Sequence, residues 1–277
     1  MPELPEVETI SRSLNKLVKG RTILKATLLR AKLAPETSPG KFAKLLRNKQ
    51  INSVHRRGKH ILFDLNGCRT LIVHLRMSGR FSILDAEDEN PKFTHAVLYL
   101  DNGKRLVFDD QRHFGLMKII KTSELNDAKE LKKLAPEPFS DKFTPDYLRS
   151  IMKSSKRSLK ELLIDQTKVC GLGNIYAAEA MFAAGVHPAK RADKVSKPKV
   201  SRLHYSIRAV LQEAISYADE LKVDPRNLEG SYFSVNGTSG WFVYDREGEL
   251  CRKCKTPISR LKQGGRSTYY CPRCQRA

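Results

Sequence analysis

The sequence predicts an α+β multidomain fold: an N-terminal β-sandwich led by a helix, a central helical domain and a small C-terminal ribbon. Three observations carry this reading. Short strand-like runs fill 22–120, helical spacing dominates from about 123 to 221, and two Cys-x-x-Cys pairs close the chain. A length of 277 residues suits two domains and an appendage. The expected segments are 1–134, 135–230 and 231–277.

The elements follow in order. Over 5–18, Val7, Ile10, Leu14, Leu17 and Val18 share one helical face. Pro5 suits the first turn, and Glu6 and Glu8 suit the positive end of the helix dipole. Strands are expected at 22–29, 61–65, 70–75, 96–100, 105–108 and 116–120. Turn signals such as Asn66-Gly67 and Asp101-Asn102-Gly103 join several of them. A helix near 41–47 interrupts the series. Ala135-Pro136-Glu137-Pro138 reads as a linker. Helices are expected over 144–153, 158–165, 174–184 and 196–221, and a strand over 241–244.

The chain carries 51 Lys+Arg against 30 Asp+Glu, a net charge of +21. The excess is +11 in 1–134, +4 in 135–230 and +6 in 231–277, so no single basic tail supplies it. Such a distribution predicts a polyanionic partner held by several modules, nucleic acid first. With 40% hydrophobic residues the chain can build a core, which excludes wholesale disorder. No apolar run approaches the roughly 18 residues needed to span a bilayer. The acidic first residues lack a signal-peptide pattern, so a cytoplasmic protein with no membrane partner is expected.

Four of the six cysteines form Cys251-x2-Cys254-x16-Cys271-x2-Cys274. Two such knuckles at this separation have the spacing of a zinc ribbon, with four thiolates completing a tetrahedron. Four protein ligands make the expected single zinc structural. A disulfide pair fits poorly with a chain read as cytoplasmic, and a redox Cys-x-x-Cys fits poorly without a βαβ pattern. Cys68 and Cys170 lie in apolar stretches and read as small core residues. Gly264-Gly265 reads as a hairpin tip that holds Arg266 rigidly.

Pro2 permits removal of Met1, which would expose a secondary amine. An α-amino group with a pKa of about 7.7–8.0 is roughly one-tenth neutral at pH 7, far more than a lysine. Such an amine can attack a sugar carbon and form an iminium. Glu3 and Glu6 are near enough in sequence for acid/base work. The same residues are also ordinary openers of a helix, and alone they do not decide.

Together the motifs resemble the formamidopyrimidine-DNA glycosylase family. Pro2-Glu3-Leu4-Pro5-Glu6-Val7-Glu8-Thr9 resembles its N-terminal signature, and His74-Leu75-Arg76-Met77-Ser78-Gly79 its intercalation segment. Gly171-Leu172-Gly173-Asn174-Ile175-Tyr176-Ala177 resembles the turn of its helix–two-turn–helix motif, and the four-cysteine ribbon closes the chain in the expected place. The motifs come in family order over the whole length. The N-terminal octet and the length favour this family over the sister endonuclease VIII type.

The resemblance implies a bifunctional glycosylase and AP lyase of base-excision repair, acting as a monomer on double-stranded DNA with oxidised purines, formamidopyrimidines and 8-oxoguanine among them. DNA would lie between the two main domains. Pro2 would be the nucleophile and Glu3 the acid that opens the sugar. Lys59 and Arg266 would hold the phosphate at the lesion. Base flipping requires the vacated space to be filled, and Met77 would fill it. Arg112 would bond the orphaned base and Phe114 would wedge beside it. Without the resemblance, Met77 and Phe114 would read as core, and Lys59 and Arg112 as basic surface.

His74 belongs to the intercalation segment. Lys156, Arg157 and Lys160 resemble the basic start of the helical domain, and Asn174 opens a helix after a glycine turn, a natural phosphate site. Two positions depart from the family pattern. His113 stands where a second basic residue precedes the phenylalanine, and Phe93 stands where a DNA-contacting histidine is usual, which leaves Lys92 and His95 as contacts there. The 228–240 stretch would form a lid over the flipped base. Two other readings remain open at this point: an endonuclease VIII-type enzyme for oxidised pyrimidines, and a non-catalytic zinc-containing DNA-binding protein.

Overall fold

The computed structural model describes residues 1–220, 224, 226–228 and 240–276. It divides into two compact units: Met1–Lys132 with Tyr217–Tyr232, and Lys133–Ser216 with Phe233–Ala277. The ribbon therefore clusters with the helices. The expected lid lies outside the described residues, apart from its ends Leu228 and Gly240.

In the first unit, α1 spans Leu4–Val18 with Pro5 in its first turn. Val7, Ile10, Leu14 and Val18 are wholly buried, as the 3.6-residue period requires of a core-facing stripe. The strands are β1 (Thr22–Leu28), β2 (Lys49–Arg57), β3 (His60–Leu65), β4 (Arg69–His74), β5 (Gly79–Leu84), β6 (Thr94–Leu100), β7 (Arg105–Asp110) and β8 (Leu116–Lys121), with α2 (Pro39–Leu46) between the first two. Their order is β5-β7-β6-β1-β2-β3-β4-β8, all antiparallel. At the middle, β1 and β2 share only the pairs Thr22↔Gln50 and Ile23↔Lys49. The sheet turns there, giving two four-stranded layers. Phe63 on β3 meets Phe81 on β5 edge to face at 5.7 Å, and Phe81 meets Phe108 on β7 at 5.2 Å. The expected sandwich is present, with its core between these layers.

Two strands escaped the sequence reading. In β2 only Ile51 and Val54 are buried, because a register shift between Ile51 and Ser53 breaks the two-residue alternation. In β5 the sequence Gly79-Arg80-Phe81-Ser82 dilutes the apolar signal. The segment 241–244 is not a strand. The backbone N–H groups of Phe242, Val243 and Tyr244 donate instead to the buried Glu179 carboxylate at 2.8–3.0 Å. Cys68 is also corrected: it is exposed, at a hairpin with φ +54°, so its position is set by the turn and not by burial. Cys170 is buried as expected.

In the second unit, α3 (Pro145–Lys153) is capped by Thr144, whose hydroxyl accepts the Tyr147 N–H at 3.0 Å. Helices α4 (Leu159–Leu163), α5 (Asn174–Ala184) and α6 (Lys197–Glu220) follow. Gly185, at φ +66°, ends α5 in the left-handed conformation that glycine accepts without steric cost. The ribbon hairpin pairs β9 (Ser259–Gln263) with β10 (Arg266–Tyr270) around Gly264-Gly265. Among the described residues no helix is long and apolar enough to cross a membrane.

Candidate active site and metal ribbon

The N-terminal end of the first unit is tightly held. Pro2, Glu3 and Glu6 are buried. The Glu6 carboxylate accepts the Glu3 backbone N–H at 2.7 Å, which fixes the start of α1. Glu8, on the same helix, binds Arg56 of β2 at 2.5 Å. Lys59 sits in the two-residue turn between β2 and β3, where Arg57 pairs with His60 and Gly58 adopts φ +60°. This lysine is buried although it occupies a hairpin tip. His60 and His74 pair across β3 and β4 with their rings edge to face at 4.6 Å. Burial pushes His60 down to about 4. Burial, helped by His60, Arg76 and Lys59, pushes His74 down to about 2. A neutral His74 leaves Nδ1 free to accept the Arg76 N–H at 3.0 Å. That bond secures Arg76 at φ +58°, the turn that projects Met77.

Met77 is 46% exposed and Phe114 54% exposed. Neither is core. The Arg112 guanidinium, also exposed, lies 5.5 Å from the centroid of the Phe114 ring. Lys92 is exposed beside Phe93. His95 differs from its expected place: it is buried, and its Nε2 lies 2.9 Å from His113 Nδ1 with the rings stacked at 5.0 Å. Phe93 touches the same His113 ring edge to face at 5.9 Å. The two departures noted in the sequence are thus in contact with each other. His95 serves them from inside and does not present an imidazole to solvent.

In the second unit, Asn174 Nδ2 donates to the Ser267 carbonyl at 3.1 Å, which ties the start of α5 to the residue after Arg266. Arg266 itself is exposed. Gln166, which the sequence did not single out, shapes the glycine turn. Its side chain accepts from Gly171 N and donates to the Leu172 carbonyl, at 2.9 and 2.8 Å. Lys156 is exposed; Arg157 is exposed and paired with Asp165 at 2.8 Å. Lys160 corrects the expectation of a surface contact. It is 1% exposed, and Nζ donates to the Asn174 carbonyl at 3.3 Å and to Thr268 Oγ1 at 3.5 Å. Apolar neighbours on a short helix pull its stem inward, and the ammonium finds carbonyl and hydroxyl partners there. Lys160→Met is therefore expected to lower stability by about 1–3 kcal/mol, the cost of stranding buried partners. A urea titration would measure it. The salt slope of DNA binding should stay unchanged; a drop of about one in the log–log slope would instead show a phosphate contact.

The sulfurs of Cys251, Cys254, Cys271 and Cys274 all lie within 4.8 Å of one another. Cys251 and Cys274 are 3.9 Å apart, and Cys254 and Cys271 3.4 Å. Zinc–sulfur bonds of about 2.3 Å in a tetrahedron place sulfurs about 3.8 Å apart, so this set fits zinc. The four thiols are the ligands of one structural zinc. Gln275 braces them from the side, accepting the Cys271 N–H at 2.9 Å and donating to the Val186 carbonyl at 3.0 Å.

Sandwich, capped helices and thiol ribbon define the class first: a multidomain α+β protein with a structural metal ribbon. The family model "Formamidopyrimidine-DNA glycosylase N-terminal domain" matches residues 1–117, its "H2TH domain" matches 134–223, and "Zinc finger found in FPG and IleRS" matches 248–277. A formamidopyrimidine-DNA glycosylase of Bacillus licheniformis is 40% identical over the full length of both chains. Two solved structures superpose over the full length of both chains with TM-scores of 0.90. One is the Lactococcus lactis Fpg with DNA containing an oxidised pyrimidine, 31% identical; the other is MutM with DNA containing carbocyclic 8-oxo-G, 32% identical. The chain belongs to the formamidopyrimidine-DNA glycosylase family.

Proposed function

We propose that the chain is a bifunctional DNA glycosylase and AP lyase of base-excision repair that removes oxidised purines from duplex DNA. The observation that carries the reading is the pairing, on one unit, of a buried Pro2–Glu3 terminus with two turns that hold Met77, Arg112 and Phe114 out to solvent. With Met1 removed, the Pro2 nitrogen attacks C1′ of the lesion nucleotide, displaces the damaged base and forms an iminium. Glu3 supplies and takes protons as the sugar opens. Two eliminations then cut the strand on both sides of the sugar. Lys59 and Arg266 hold the phosphate beside it. Met77 fills the space left by the flipped nucleotide, Arg112 bonds the orphaned base and Phe114 wedges next to it. His74 sets the Met77 turn. Lys92, Lys156, Arg157 and the start of α5 at Asn174 serve the backbone, while His95 and Lys160 support from within.

The working division is a catalytic sandwich over 1–134, a helix–two-turn–helix domain over 135–230 and a zinc ribbon over 231–277. The chain acts as a monomer in the bacterial cytoplasm. The remaining positive charge supplies sequence-independent phosphate attraction that weakens with salt.

Borohydride trapping on a duplex with one 8-oxoguanine opposite cytosine tests the reading. A covalent adduct at Pro2 is the expected result; strand cutting with no trapped adduct would overturn the iminium route, and binding without any cutting would leave a non-catalytic DNA-binding protein. A second reading, a range that extends to oxidised pyrimidines, is favoured by the Lactococcus lactis complex. Faster removal of a pyrimidine lesion from a panel would make it the main one.

A further inference from the structure

The turn that carries Met77 and the turn that carries Arg112 and Phe114 share one internal clasp. Asp110, the last residue of β7, is completely buried. Its Oδ1 accepts the Ser78 hydroxyl at 2.5 Å and the Arg112 N–H at 3.3 Å, and its Oδ2 accepts the Gly115 N–H at 2.7 Å. Ser78 Oγ in turn accepts the Arg112 N–H at 3.0 Å. One carboxylate and one hydroxyl therefore bind the residue after Met77, the residue that reads the base and the residue after Phe114.

Both turns also end on one ring. A Cβ on Gly79 would lie 2.8 Å from Phe108 Cζ and 2.5 Å from the Leu75 carbonyl. A Cβ on Gly115 would lie 2.8 Å from the same Cζ and 3.2 Å from Asp110 Oδ2. Only glycine lets the two returning strands settle this closely on a buried phenylalanine. Arg76 and His113, both left-handed, mark the bends that lift the tips away from this base. On the far side, His113 is held by His95 and Phe93.

We infer that Ser78 and Asp110 are positioning residues that join the two turns into one rigid probe, so that filling the stack with Met77 and reading the partner base with Arg112 occur as one event. This rests on the glycosylase reading above. A shared buried network makes two groups energetically dependent on each other. Pre-ordering both tips also reduces the entropy lost when they enter the duplex.

A mutant cycle tests the inference. Single-turnover excision of 8-oxoguanine would be measured for the unaltered protein, Met77→Ala, Arg112→Ala and the double variant, then for the same four with Ser78→Ala. The first set should depart from multiplicative behaviour by about fivefold, the second by less than about twofold. Ser78→Thr, which keeps the hydroxyl, should restore the coupling. Ser78 is half-buried in a turn, so the fold tolerates its truncation, and a melting curve would verify this. If the Met77–Arg112 coupling survives Ser78→Ala in the folded protein, the clasp is not its source and the inference fails, while the glycosylase reading stands. If Met77→Ala and Arg112→Ala each leave excision unchanged, the probe roles fail and the inference fails with them.

Discussion

Extending the chain so that the Pro2 nitrogen stays in a peptide bond is expected to abolish the borohydride-trapped adduct and to slow strand cutting by on the order of 10³-fold or more. The reason is electronic. An amide nitrogen shares its lone pair with the carbonyl and cannot form an iminium. The attacking form is the unprotonated amine, so the trapping rate of the processed protein should rise with pH and level off once that amine is deprotonated. Glu3→Gln should leave the amine intact and cost roughly 10²–10⁴-fold, the range of a lost general acid. Glu3 is well placed for that role because it is buried and its backbone is tied to Glu6. A blocked chain that still traps at full yield would move the nucleophile elsewhere, and Lys59 would be the first position to examine by peptide mapping.

The second large effect belongs to the ribbon. Stripping the zinc, or Cys271→Ser, should lower DNA affinity by about 10²–10³-fold at fixed salt, measured by fluorescence anisotropy. Among the described residues, the buried apolar cluster around the thiols is Ala178, Phe182, Val243, Cys251, Ile258 and Cys271, with Tyr244, Cys254, Tyr269 and Cys274 packed against it. So small a core cannot hold a hairpin by burial alone. Structural zinc contributes about 10–16 kcal/mol in comparable small sites, so its loss releases the β9–β10 hairpin. Arg266 then loses its fixed direction, and the Asn174–Ser267 bond that ties the hairpin to α5 is lost with it. The sandwich has its own core, so circular dichroism should retain most of the strand signal. Metal-free protein with undiminished affinity would refute this role for the ribbon.

Local regularity made much of this molecule legible in its sequence. The stripe Val7, Ile10, Leu14 and Val18 announced α1, and the cysteine spacing announced the metal. The family motifs pointed to Pro2 and Met77 because each lies within a short contiguous signature. What escaped was local structure that breaks its own period, such as the bulged β2, and polar residues whose character suggested solvent. Lys160 and His95 read as basic contacts, but both are buried. Asp110, Glu179 and Gln275 did not stand out at all.

The reason is the distance between partners along the chain. Helix periodicity, caps, turns and metal knuckles are set by residues a few positions apart, so the sequence alone determined the classes of element, the ribbon and the catalytic family. Asp110 meets Ser78 from 32 residues away, Glu179 meets Tyr244 from 65, Gln275 meets Val186 from 89 and Lys160 meets Thr268 from 108. A buried polar group is stable only with a partner, and only the folded chain brings these partners within reach. Tertiary structure therefore decided which charged residues face solvent and which are buried behind them.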